Sequence, residues 1–233
     1  MRQRSQPAAS PAEFDRLIAE IRACDRCAGL PLGPSPVVRG RPTARLLIVS
    51  QAPGTQAHQT GLSFNDRSGD RLRLWLGLDR ERFYDEARVA LMPIGFCYPG
   101  RNPRVGRSGG GDLPPRSECA PLWHPRLRPH FAAVGLTLLV GGHAIRHYLP
   151  EGRRQSLSEI IAGWRDFLPQ TFVLPHPSWR TTHWERTHPW FAAELLPELR
   201  ARIAQELSLS ALQGGEGNSA ASPRARCAPY HRR

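Results

Sequence analysis

The sequence predicts an α/β protein, a three-layer α/β/α sandwich with a central, mostly parallel four-stranded sheet. Four short apolar runs alternate along the chain with segments whose apolar residues recur at helical spacing. These runs lack polar alternation, which is typical of parallel strands that are buried on both faces. In such sheets, ligands bind beyond the carboxyl ends of the strands. The polar loops that follow the runs are therefore expected to meet at one site.

The predicted elements alternate along the chain in a regular order. A first helix is predicted over 11–27, where Phe14, Leu17, Ile18 and Ile21 share one face. A long loop is predicted at 97–115, after the second strand. The strands are predicted at 46–50, 89–96, 136–141 and 172–174, and the other helices at 69–78, 124–133, 143–149 and 190–207.

Length and charge indicate one domain that binds a polyanion. The 233 residues suffice for a single α/β domain, predicted over 11–207. Segments 1–10 and 208–233 are predicted to be disordered, and the second ends in a basic cluster. The formal charge is +12, and all 32 basic residues are arginine. A surplus of this size favours nucleic acid as the partner.

The apolar segments of the chain are short. None approaches the roughly 20 residues that a membrane-spanning helix needs. No apolar stretch follows the two arginines near the N-terminus. We therefore expect a cytoplasmic, nucleoid-associated protein that is a monomer and has no membrane partner.

Two of the polar loops carry sequence motifs. Residues 51–54 read QAPG, and the chain continues from His58 to Gly69 as H-x-x-G-x-x-F-x-D-x-S-G. The second motif, LPHPS at 174–178, follows the last predicted strand. Together they resemble the active-site motifs of the uracil-DNA glycosylase superfamily, most closely those of its iron–sulfur families 4 and 5. The resemblance extends over most of the predicted domain.

The resemblance implies a monofunctional DNA glycosylase of base-excision repair. Such an enzyme flips uracil, or a related deaminated base, out of DNA and hydrolyses its N-glycosidic bond. The reaction passes through an oxocarbenium-like sugar and a departing base anion. His176 can donate a hydrogen bond to the base, and Asp66 can orient water or stabilise the sugar. The chain has no lysine, which excludes β-lyase chemistry through a lysine Schiff base.

Other residues are expected to bind the base or the DNA. Phe64 offers an aromatic face for the flipped base, although a core position is the alternative. Asp66 is also a good helix N-cap. Trp184 is expected to pack under the last helix. The predicted catalytic residues are His176, Asp66 and Gln51; the base-binding residues are Phe64, Asn65, Ala52 and His58; the DNA-binding residues are Ser178, Trp179, Arg180, Arg101 and Arg116.

The motifs also depart from family 4. Gln51 stands where that family usually has a glutamate, which leaves Asp66 as the only carboxylate candidate in the first motif. The asparagine that reads uracil has no clear match, because Pro93 falls near its place. Asn65 and Asn102 are the nearest substitutes.

These departures leave two alternatives to the enzyme open. One is a protein that binds uracil or abasic DNA with little turnover, with His58 or His183 as candidates for a covalent bond to the product. The other is a metal-containing structural protein that binds nucleic acid without base chemistry.

Four of the five cysteines form a candidate metal site. Cys24 and Cys27 make a C-x-x-C pair, and Cys97 and Cys119 lie far downstream. In a cytoplasmic protein this pattern indicates metal or redox chemistry before a disulfide. The resemblance implies a [4Fe-4S] cluster on these four thiolates; zinc and buried free thiols are the alternatives. Cys227 falls in the predicted tail.

Overall fold

A parallel sheet of four strands forms the centre of the protein, in the order β2-β1-β3-β4. The computed structural model describes residues 10–102, 111–149 and 155–213. Every residue of β1, β2 and β3 is buried, as expected for strands that are covered on both faces. The register pairs Leu46 of β1 with Val89 of β2 and with Leu136 of β3. The strands are β1 Leu46–Val49, β2 Val89–Leu91, β3 Leu136–Val140 and β4 Thr171–Leu174.

Helices flank the sheet, which confirms the predicted α/β/α architecture. The C-terminal helix α9 packs against β1, β3 and α3, while α1 packs against α5. Short 3-10 turns at 128–130 and 164–167 and a π-helical turn at 191–195 connect them. The helices are α1 Pro11–Arg22, α2 Thr55–Thr60, α3 Arg67–Leu76, α4 Arg80–Tyr84, α5 Cys119–Leu127, α6 Gly142–Tyr148, α7 Leu157–Ala162, α8 Thr181–Thr187 and α9 Leu196–Gln213.

Local sequence signals explain where two of the helices begin and end. Ser10 and Glu13 form a capping box around Pro11 at the start of α1, and Asp66 caps α3. At its C-terminus, α3 ends in Gly77, whose φ of 67° is a left-handed conformation that glycine adopts without strain. These caps fix α3, the helix that follows the first motif.

Several element boundaries differ from the prediction. The first helix ends at Arg22, so that Cys24 and Cys27 lie in a loop. The second strand ends at Leu91, before Pro93, which has no backbone N–H for a sheet ladder. The α5 helix begins at Cys119 and ends at Leu127, whereas the sequence predicted a helix over 124–133.

The end of the last helix also differs from the prediction. The α9 helix continues through 208–213, which the sequence placed in a disordered tail. Segments 1–9 and 214–233 lie outside the described residues. Within the described ranges, no helix is long and apolar enough to cross a membrane.

Candidate active site

One pocket of about 700 Å³ lies beyond the carboxyl ends of β1 and β4. Ser50 and Gln51 line it directly after β1, and His176 lines it just after β4. The two motif loops, predicted to share a site, therefore meet here. Of the predicted site residues, the pocket is lined by Gln51, Ala52, Phe64, Asn65, Asp66, Arg101, His176, Ser178, Trp179 and Arg180.

The backbone of His176 is tightly held. Its carbonyl accepts hydrogen bonds from the Ser178 N–H at 2.8 Å and from the Thr181 hydroxyl at 2.5 Å. Gly141, with a φ of 85°, passes so close that a Cβ there would lie 3.4 Å from the His176 Cβ. These contacts hold the backbone of His176 at the edge of the pocket.

The imidazole of His176 is held in its neutral form. Burial lowers the pKa of His176, while the Asp66 carboxylate opposes this shift and His143 adds to it. A neutral imidazole carries one N–H donor and one acceptor nitrogen. His176 can therefore donate a hydrogen bond without bringing a positive charge to the pocket.

Phe64 is fixed in an unusual backbone conformation beside the pocket. Its φ is 58°, in the left-handed region that bulky residues rarely occupy. The carbonyl of Phe64 accepts hydrogen bonds from Arg73 Nη1 at 3.0 Å and from the Tyr84 hydroxyl at 2.9 Å. A Cβ on Gly69 would lie 1.7 Å from the same carbonyl oxygen, so only glycine fits there. Strain of this kind is kept where surrounding contacts enforce it.

The two interpretations of Phe64 and of Asp66 are compatible in the structure. The Phe64 ring packs edge-to-face on Phe83 at 6.0 Å, and Phe64 also lines the pocket. Asp66 caps α3, since its Oδ1 accepts the Gly69 N–H at 2.9 Å, and it too lines the pocket. The cap determines where this carboxylate lies, close enough to His176 to influence the pKa of that residue.

Backbone hydrogen bonds hold the first motif loop in place. The N–H of Ile94 donates to the Ser50 carbonyl at 2.8 Å, and the N–H of Gly95 donates to the Gln51 carbonyl at 3.0 Å. The segment after β2 therefore continues the sheet hydrogen bonding beyond its last strand residues. This places Gln51 at the pocket wall.

Of the proposed substitutes for a uracil-reading asparagine, Asn65 is already engaged through its side chain, and Asn102 is not among the residues that line the pocket. Asn65 lines the pocket, but its Oδ1 accepts Arg80 Nη2 at 2.7 Å and its Nδ2 donates to the Thr60 hydroxyl at 3.5 Å. Asn102 uses its backbone N–H to bind the Gly111 carbonyl at 3.0 Å. Pro93 offers only a carbonyl, which binds His124 Nε2 at 3.0 Å.

The loop after His176 is attached to α3 by one arginine. Arg71 Nη1 donates to the Ser178 carbonyl and to the Thr182 hydroxyl, both at 2.9 Å, and Arg71 Nη2 pairs with Glu185 at 2.6 Å. Trp179 is 73% exposed at the pocket. The Arg180 guanidinium lies 5.4 Å from the Trp179 ring centroid. The exposed Trp179 ring and the Arg180 guanidinium therefore lie side by side on a loop that is hydrogen-bonded to α3.

Trp184 packs as predicted under the last helical segment. Its ring meets Trp190 and Phe191 edge-to-face, at 5.7 and 5.5 Å. Its indole N–H donates to the Ser158 hydroxyl at 2.7 Å.

His58, Arg116 and His183 are not among the residues that line this pocket. His58 lies on α2, where its Nδ1 is buried without a hydrogen-bond partner in the part of the chain that the structure describes. His183 is exposed on α8. Arg116 donates from Nη2 to the carbonyls of Ala28 and Gly29, at 3.3 and 3.2 Å. Arg116 thus supports the loop that contains the C-x-x-C pair.

One acidic residue of the pocket, Asp112, was not among the site residues predicted from the sequence. It lies near the C-terminal end of the loop predicted at 97–115 and lines the pocket. Burial raises the pKa of Asp112, Arg101 opposes this shift and Asp66 strengthens it. Asp112 lies in no recognisable motif, and only the fold brings it to the site.

The four predicted metal-ligating cysteines surround a second cavity of about 390 Å³. Cys119 begins α5, and its Sγ accepts the Phe96 N–H at 3.3 Å. Burial raises the pKa of Cys27 and of Cys97, and raises that of Cys119 to about 12. Within residues 10–102, 111–149 and 155–213, no three His, Cys, Asp or Glu side chains converge as ligands of a single ion.

A comparison with known protein families agrees with this geometry. The family model described as the uracil DNA glycosylase superfamily matches residues 37–200. The match contains both motif loops and every residue that lines the pocket. It begins after Cys24 and Cys27. The chain belongs to the uracil-DNA glycosylase superfamily.

Proposed function

We propose that this protein is a monofunctional DNA glycosylase that releases uracil, or a related deaminated base, from DNA in base-excision repair. The observation that carries the proposal is that His176, Asp66 and Phe64 line one pocket in a member of this superfamily. The pocket volume of about 700 Å³ lies in the range of small-molecule sites. It is therefore large enough for a flipped nucleotide.

Each of the three residues has a distinct task in the proposed reaction. The flipped base stacks on the ring of Phe64, which the contacts of its carbonyl hold in place. The neutral imidazole of His176 donates a hydrogen bond to the base oxygen on which negative charge develops. Asp66, anchored as a helix cap, faces the positive charge that develops on the sugar. Water then adds to C1′.

The rim of the pocket is suited to DNA. Trp179 is exposed, so that it can fill the gap that the flipped nucleotide leaves in the DNA. Arg101 and Arg180 line the same pocket and can neutralise flanking phosphates. The Arg71 contacts keep this loop attached to α3 while DNA binds.

Release of free base from short oligonucleotides tests the proposal. The substrates contain uracil, hypoxanthine or xanthine, in single-stranded and double-stranded form. We expect His176→Ala to lower the single-turnover rate by about 100-fold or more, as for loss of one donor to a developing anion. His147→Ala, which changes an exposed histidine outside the pocket, is the matched control. Tight binding of uracil-containing DNA without base release would instead establish the binding protein.

We further propose that Cys24, Cys27, Cys97 and Cys119 bind a [4Fe-4S] cluster. All four thiols are free and border one cavity. A single zinc ion would draw its ligands to about 2.3 Å from one point. Side chains spread around a cavity suit a four-iron cluster better, since its ligands bind different iron atoms. The cluster would supply bonds that tie the end of α1, the segment after β2 and the start of α5 together.

Iron and sulfide content, together with the visible spectrum of protein purified without oxygen, tests the cluster. Cys119→Ser is expected to lose iron and colour. Cys227→Ser is the matched control, because Cys227 is not part of the four-cysteine pattern that the sequence identifies. Stoichiometric zinc without iron would replace the cluster by a zinc site, and metal-free protein would leave the four cysteines as packing residues.

A further inference from the structure

We propose that Asp112 is a catalytic residue that takes a proton from the hydrolytic water. This inference rests on the proposed glycosylase function and names a water-activating group outside the first motif. It is carried by the position of the Asp112 carboxylate in the pocket that also contains His176 and Asp66.

A backbone clasp brings Asp112 to the pocket. The clasp consists of residues 100–102 and 111–113, which form an antiparallel bridge between Arg101 and Asp112. The N–H of Leu113 donates to the Gly100 carbonyl at 2.7 Å, and the N–H of Asn102 donates to the Gly111 carbonyl at 3.0 Å. Because backbone atoms make these bonds, the clasp does not need the Asp112 side chain.

The carboxylate of Asp112 faces the first motif. Its Oδ2 lies 3.5 Å from the point that a Cβ on Gly54 would occupy. Gly54 belongs to the QAPG turn, which also lines the pocket. Asp112 therefore stands against the turn that precedes α2, on a different segment from Asp66 and His176.

The two carboxylates of the pocket are in different chemical situations. Asp66 Oδ1 already accepts the Gly69 N–H. Among the described residues, none donates a hydrogen bond to the Asp112 carboxylate or forms an ion pair with it, although Arg101 and Asp66 act on it electrostatically. The oxygens of Asp112 are therefore available to a water molecule. Burial and Asp66 both raise the pKa of Asp112. Asp112 is therefore a better proton acceptor than an ordinary aspartate.

The water oxygen forms a bond to C1′ while the N-glycosidic bond breaks and its electron pair leaves with the base. Asp112 accepts one proton of the water, which leaves a hydroxyl on the sugar. The base anion, stabilised by His176, takes up a proton, and Asp112 returns its own to solvent. One water is consumed for each base released.

Single-turnover base release from a uracil-containing oligonucleotide tests this role. We expect Asp112→Asn to lower the rate by about 100-fold or more, the usual contribution of a general base. DNA affinity, measured by fluorescence anisotropy, should be unchanged or tighter because a negative charge is removed. Glu81→Gln, which removes an exposed charge on α4, is the matched control and should leave both values unchanged.

A second variant separates proton transfer from a structural role. Asp112→Ala opens space for formate, a small carboxylate that can accept the proton instead. Base release by this variant should rise with formate concentration, and should not rise with sodium chloride at the same ionic strength. A rate for Asp112→Asn close to that of the wild type, or a loss in Asp112→Ala that formate does not restore, would overturn the assignment.

The outcomes also separate this inference from the proposed function. If the wild type releases base and Asp112→Asn does so equally well, the function stands and the role of Asp112 fails. If the wild type binds uracil-containing DNA but releases no base, the glycosylase proposal fails, and with it the role of Asp112.

Discussion

His124 makes the stability of the protein depend on pH in a way that can be measured. It is 4% exposed on α5, and both of its ring nitrogens are bound. Nε2 lies 3.0 Å from the Pro93 carbonyl, and Nδ1 lies 2.7 Å from the Tyr148 hydroxyl. Because a carbonyl only accepts, Nε2 carries the proton and Nδ1 accepts from Tyr148. Burial favours this neutral form of His124 in the folded protein.

Protonation of His124 in the folded state is costly. Burial lowers the pKa of His124 from 6.5 to about 4, and His147 and Arg128 contribute to the shift. The unfolded chain therefore binds a proton more readily than the folded protein between these two values. The His124 contribution is fully present above pH 6.5 and is lost as the pH falls towards 4. The loss amounts to about 2 kcal/mol between pH 7 and pH 5, and to about 3 kcal/mol in full.

Urea unfolding at several pH values, followed by tryptophan fluorescence, measures this contribution. His124→Gln should be less stable than the wild type at pH 7, because a packed ring is lost. Its stability should nevertheless fall by about 2 kcal/mol less than that of the wild type between pH 7 and pH 5. His143, His147 and His176 also have lowered pKa values, but they are common to both proteins. Parallel pH curves for the two proteins would refute the reasoning.

Three further substitutions test the packing of the pocket and the role of the loop that follows His176. Gly69→Ala places a Cβ 1.7 Å from the Phe64 carbonyl oxygen, so we expect a loss of more than about 2 kcal/mol in urea unfolding and slow base release. Trp179→Ala should keep the wild-type melting temperature, because the side chain is 73% exposed, but weaken binding to uracil-containing DNA by about tenfold in an anisotropy titration. Arg71→Met removes the hydrogen bonds to the Ser178 carbonyl and Thr182, so hydrogen exchange should become faster in 178–185 while the sheet remains protected.

The sheet could be predicted because the apolar runs are long enough and lack polar alternation. The positions of the element ends were harder to predict. The helix predicted at 124–133 begins at Cys119, since Pro121 falls in the first turn, where a missing N–H costs little. Pro125 also lies inside this helix, against the usual preference, so packing overrides the local signal.

Gln51 and His176 could be placed from the sequence because each lies two residues beyond a strand end, and Phe64 and Asp66 because they belong to the first motif. The residues that hold them could not be placed in this way. Arg73 and Tyr84 bind the Phe64 carbonyl from α3 and α4, and neither belongs to a motif. Such contacts depend on how helices meet in space, which a single sequence does not encode in any local pattern. His58 shows the reverse case, since it belongs to the first motif but does not line the pocket.

Asp112 illustrates why a missing motif carboxylate does not by itself argue against hydrolysis. The sequence left Asp66 as the only acidic candidate in the first motif, and the structure gives Asp66 a second task as a helix cap. The Gly69 N–H holds the Oδ1 of Asp66 in place, which suits this carboxylate to face the charge that develops on the sugar. Asp112 has the complementary properties, since it is exposed to solvent at the pocket and has a raised pKa. In the proposed mechanism, the two tasks that a single motif glutamate would combine are therefore divided between two loops. The rate of base release should then fall when either Asp66 or Asp112 is substituted, because each carboxylate performs a different task.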